Sequence, residues 1–97
     1  MGIWTSVTIE ATTRADKHVS IRKCVEDIGY GHDIVFEKID SSDVSKALVK
    51  HFVEFRVKLD GDIAINFLQK LNKWLRAVCH SHTIEIYGLM MYCGLYE

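Results

Sequence analysis

The sequence predicts a small α+β domain, and three observations carry that expectation. Residues 53–60 alternate without a break between apolar and charged, the period of a strand with one wet face. Two stretches, 21–28 and 64–78, instead repeat apolar residues at the i, i+3, i+4, i+7 spacing of a helix that buries one face. Ninety-seven residues, 48% of them hydrophobic, suffice for one core without metal or disulfide staples. A single domain over 1–97 is therefore expected.

Ile3, Val7, Ile9 and Ala11 fall on one side of the first segment; Trp4, Ser6, Thr8, Glu10 and Thr12 fall on the other. This threonine-rich alternation reads as a half-buried strand. Asp16 is placed to cap a helix from Lys17 whose buried face is Ile21, Cys24, Val25 and Ile28. Gly29 follows the last periodic residue, where a left-handed helix stop favours a residue without Cβ.

Asp33 to Ile39, apolar and β-branched, reads as a short second strand. Ser41 or Ser42 is placed to cap one or two helical turns over 42–49, through Val44, Ala47 and Leu48. The next strand sets Val53, Phe55, Val57 and Leu59 against Glu54, Arg56, Lys58 and Asp60. Asp60-Gly61-Asp62 turns the chain, with Asp62 as the cap of the second long helix.

That helix, Ala64 to Val78, carries the apolar stripe Ala64, Phe67, Leu68, Leu71, Trp74, Leu75 and Val78. Thr83 to Met91 is expected as a last strand, with Gly88 as a bulge. The order is β-α-β-β-α-β apart from the short helix. Two split β-α-β units most simply make one antiparallel sheet with both helices on one face, a ferredoxin-like plait.

Composition excludes several functions. Twelve Lys+Arg against thirteen Asp+Glu give a net charge of -1, so the chain is neither a basic nucleic-acid glove nor an acidic mimic. Three dispersed cysteines, Cys24, Cys79 and Cys93, are the wrong arithmetic for a disulfide scaffold and point to the cytoplasm. No membrane span and no signal peptide is visible. The N-terminus fits the loose myristoylation pattern through Gly2 and Ser6, but reads better as the start of a strand.

No phosphate-cradling glycine motif occurs, and Gly29-Tyr30-Gly31 follows a helix instead of opening one, so no cofactor is expected. Cys79, His80 and His82 are weak metal candidates: three potential ligands in four residues, with no second pair to complete a zinc site. The paired carboxylates Glu26-Asp27 and Asp60/Asp62 read as a solvated helix end and a turn, so no catalytic constellation can be assembled.

RNA-recognition motifs share this element order, and Phe52-Val53-Glu54-Phe55 matches the second half of their third-strand pattern. The first half fails: Leu48, Val49, Lys50 and His51 stand where a basic residue, a glycine, an aromatic and a small residue are required. Trp4 and Phe52 are nevertheless expected on the sheet face away from the helices, where Arg56 and Lys58 would join them.

The least ordinary segment is Leu89 to Tyr96, eight residues without a charge. Met91, Tyr92 and Tyr96 are of the types enriched at interface cores, so a homodimer through this segment is expected. The function expected from these features is a non-enzymatic modulator or inhibitor that occupies a partner protein's surface. Compact proteins that viruses or mobile elements direct against host defences share this profile. The alternatives are a single-stranded nucleic-acid module using the open sheet face, and a small ligand-binding regulator or enzyme.

Overall fold

The computed structural model describes residues 3–59, 61–86 and 89–95, with side chains over 4–59 and 62–86. The chain runs β1 (Ile3–Arg14), α1 (Ile21–Ile28), β2 (Ile34–Asp43), β3 (Leu48–Leu59), α2 (Gly61–Val78), β4 (Ser81–Ile86) and β5 (Leu89–Leu95). The sheet order is β2-β3-β1-β4-β5, antiparallel at every pairing. Its first four strands and two helices are the expected plait; β5 extends the sheet beyond β4.

Alternation decides which face is covered. On β1, Val7, Ile9 and Ala11 are buried, and the register sets them opposite Phe55, Val53 and His51 of β3. Both helices cover this face. Ile21, Cys24 and Val25 of α1 and Phe67, Leu71 and Leu75 of α2 are buried in one cluster with Val53, Phe55, Val57 and Ile84. Phe55 is its aromatic centre, with ring centroids 5.8 Å from Phe36 and 6.2 Å from Phe67. Both helical stripes read from the sequence are therefore the faces that pack.

Four local expectations need correction. The helical turns over 42–49 do not form. β2 continues to Asp43 and pairs through Asp43↔Val49 into a long hairpin with β3. Its tip is closed by the Val44 and Ser45 N–H groups, which donate to Leu48 O at 3.0 and 3.3 Å. Ladder hydrogen bonds along the hairpin outweigh the weak helical spacing of three apolar residues.

Helix α1 starts at Ile21, not Lys17. Ser20 is the cap, its Oγ accepting from Lys23 N–H at 3.2 Å, while Asp16 pairs with Arg14 at 3.5 Å. Helix α2 starts at Gly61, which puts Asp62 in the first turn, where its charge suits the helix dipole. The expected strand Thr83–Met91 is two strands, β4 and β5, folded back on each other with Ile84 opposite Met91. Gly88, the supposed bulge, lies outside the described residues.

The glycine expectation holds in position but not in cause. Gly29 has φ -89°, so no left-handed stop is made there; the positive φ, 87°, belongs to Gly31. What Gly29 supplies is space, since an added Cβ would collide with Ile34 Cδ1 and come within 3.2 Å of Phe67 Cε2.

Candidate functional site

The open sheet face is built by the alternate residues of β1 and β3. Trp4 stands opposite Lys58, Ser6 opposite Arg56, Thr8 opposite Glu54 and Glu10 opposite Phe52. All four sequence-predicted residues, Trp4, Phe52, Arg56 and Lys58, thus share the face away from the helices. They do not form one platform. Six strand positions separate Trp4 from Glu10, the partner of Phe52, which at ~3.4 Å per residue puts the two rings about 20 Å apart.

Each ring also carries its own cation. The Arg56 guanidinium sits 5.6 Å from the Trp4 ring centroid, and its Nε lies 3.4 Å from Glu37 Oε1. Lys38 Nζ sits 5.4 Å from the Phe52 centroid and 3.6 Å from Asp40 Oδ2. Ring, cation and carboxylate therefore form two chains across the sheet. Such contacts are worth about 0.5–1 kcal/mol at exposed sites, and a base stacking on the same side of either ring would have to displace the cation.

The two sheet edges differ in kind. β2 carries a register shift between Phe36 and Lys38 and the charged residues Glu37, Lys38, Asp40 and Asp43, devices that discourage another strand from adding. β5, Leu-Met-Met-Tyr-Cys-Gly-Leu, has no charge along its length and is the opposite edge of the sheet among the described residues. Met91 and Tyr92 are opposite Ile84 and Thr83 of β4. Tyr96, the third expected contact residue of this segment, lies outside the described residues.

No protein-family model matches this chain, and no curated protein or solved structure matches it significantly. The fold therefore rests on its own topology, and function has to be argued from side chains.

Cys79, His80 and His82 are not brought to one point. Cys79 is buried in the core cluster, and His80 is half-exposed with its backbone N–H donating to Thr12 O at 2.7 Å. His82 is buried on β4, its Nε2 2.9 Å from Asn72 Oδ1 of α2. Among the described residues no three His, Cys, Asp or Glu side chains cluster as a metal would require. No described helix is long and apolar enough to cross a membrane.

Burial sets the chemistry of the remaining titratable groups. It pushes the Cys24 thiol up to about 12, with Asp27 and Cys79 adding to the effect, and the Cys79 thiol up to about 11. Both stay protonated at neutral pH, the opposite of an activated nucleophile. Burial, reinforced by the charge of Arg76, lowers the His82 pKa, and burial lowers that of His51. His51 bridges three strands: its Nε2 is 2.7 Å from Thr13 Oγ1 and its Nδ1 3.0 Å from Ser41 Oγ. Sequence reading missed this link because Thr13, Ser41 and His51 meet only through the hairpin register.

Proposed function

We propose that this chain is a non-enzymatic protein-binding module whose primary contact is strand addition at β5, with a second copy of the chain as the partner. The carrying observation is the contrast between its sheet edges: β2 is irregular and charged, while β5 bears no charge. An unprotected, apolar edge is a template for another strand, and two-fold pairing is the commonest way natural chains satisfy it. Met and Tyr in that edge supply contact area typical of interface cores.

The protonated, buried state of Cys24 and Cys79 fits residence in a reducing compartment such as the cytoplasm. The same reading extends to inhibition or modulation of a larger protein, with the β5 edge as the contacting element. Single-stranded nucleic acid on the open face has less support, because Trp4 and Phe52 are far apart and each is covered by a cation.

Sedimentation at micromolar concentration tests the proposal. The intact chain is expected to run as a dimer, and Tyr92→Glu, which places a charge on the β5 edge, as a folded monomer. A monomer in both cases overturns the proposal, as does a dimer that Tyr92→Glu leaves intact.

A further inference from the structure

One end of the molecule gathers positive charge, although the chain as a whole has a net charge of -1. A cleft of about 580 Å³ opens there between three separate segments: the end of β1 with the turn after it, the tip of the β2–β3 hairpin, and the last turn of α2 with the residues beyond it. Its basic side chains are Arg14, Lys17, Arg76 and His80, and no carboxylate lines it among the described residues. Leu48 and Val78 contribute apolar surface beside them.

The walls are held by backbone hydrogen bonds, so the cleft is a preformed feature. Ala15 N–H donates to Ala47 O at 2.8 Å, tying the β1 end to the hairpin tip. His80 N–H donates to Thr12 O at 2.7 Å, tying the end of α2 to the same strand. Lys17 N–H donates to Arg14 O at 3.1 Å and tightens the turn that carries both cations. Asp16 Oδ1 lies 3.5 Å from Arg14 Nε, and both side chains are about two-thirds exposed. An exposed pair of this kind is weak and readily exchanged for a better anion. The Cys79 thiol in the lining is protonated at neutral pH and does not repel one.

We infer that this cleft binds a small phosphate ester, its phosphate held by Arg14, Lys17 and Arg76 and its organic body lying against Leu48 and Val78. Three cations lining one cleft suit a phosphate dianion, for which guanidinium groups offer paired donors. The cleft volume lies within the ~300–1,000 Å³ of small-molecule sites. A polynucleotide would need an extended basic track with stacking rings along it, and Trp4 and Phe52 belong to the sheet face, outside the cleft lining. Phosphate binding here does not depend on pairing through β5.

Calorimetric titration at low salt with adenosine 5′-monophosphate and with inorganic phosphate tests it. The nucleotide is expected to bind one to one, more tightly than phosphate alone. Lys17→Glu, at an exposed turn position, should weaken nucleotide binding by about tenfold or more while leaving the melting temperature unchanged. Lys70→Glu, exposed on α2 away from the cleft, should bind as the unaltered chain does. Absence of nucleotide binding at ~10 mM, or equal weakening by Lys70→Glu, overturns the assignment. So does binding of a single-stranded oligonucleotide without binding of the mononucleotide, which would make the cations a polymer contact.

Discussion

Ile34 Cδ1 fills the space that a Cβ on Gly29 would occupy, so the end of α1 and the start of β2 close on each other across a residue with no side chain. A Cβ added there would also come within 3.2 Å of Phe67 Cε2 and 3.0 Å of the Val25 carbonyl oxygen. Gly29→Ala should therefore destabilise the fold by about 1–3 kcal/mol, the usual cost of overpacking, despite the lower backbone entropy of alanine. Ile34→Val removes the colliding methyl. In that background Gly29→Ala should cost measurably less, and a denaturation double-mutant cycle reads the difference.

Leu71 is fully buried beneath α2, in the cluster that also holds Val53, Phe55 and Val57. Leu71→Ala is expected to cost ~2–5 kcal/mol, a large part of the stability of a domain this size. Urea unfolding followed by circular dichroism measures it. A midpoint equal to that of the unaltered chain would mean that α2 packs through a different face.

The plait was legible because its strongest signals are periodic and local. The Val53–Leu59 alternation and the Phe67, Leu71, Leu75 stripe each report one buried face, and those faces meet. Boundaries were harder where two residues of the same chemistry compete. Asp16 and Ser20 are both good caps, and Ser20 prevails because it directly precedes Ile21, the first residue of the buried stripe. The hairpin tip was misread because Val44, Ala47 and Leu48 mimic helical spacing, whereas the Asp43↔Val49 pairing belongs to a register set along the whole hairpin. The basic cleft draws on residues 14–17, 47–48 and 76–80, and no local window contains all three segments.

Cys24 and Cys79 should be inert in the folded protein. Each is about 5% exposed, and each thiol is held protonated by burial. In a Cys93→Ser background at pH 8, labelling by a thiol reagent should proceed only as fast as the chain opens, and should become immediate in denaturant. Rapid labelling of Cys24 under native conditions would show that α1 separates from the sheet far more readily than its burial implies, and rapid labelling of Cys79 that the end of α2 does.

Acid should loosen the fold through two histidines. His82 and His51 both have pKa values below the ordinary 6.5, His82 through burial and then the neighbouring charge of Arg76, His51 through burial. A base with a depressed pKa takes up its proton more readily unfolded than folded, so the unfolded state binds more protons as pH falls. Stability contributed by the neutral rings is then complete above about pH 6.5 and declines below it, until the folded-state pKa is passed. His82 should dominate, because it is 2% exposed and charging it would bury a second cation near Arg76. Urea midpoints should fall between pH 7.5 and pH 5, and His82→Gln should flatten that slope at the expense of stability at pH 7.5. His51→Gln should flatten it less, since His51 is only half-buried beside Thr13 and Ser41. An unchanged slope in His82→Gln would assign the acid sensitivity to other groups, and a slope of opposite sign would mean that His82 is charged in the folded state.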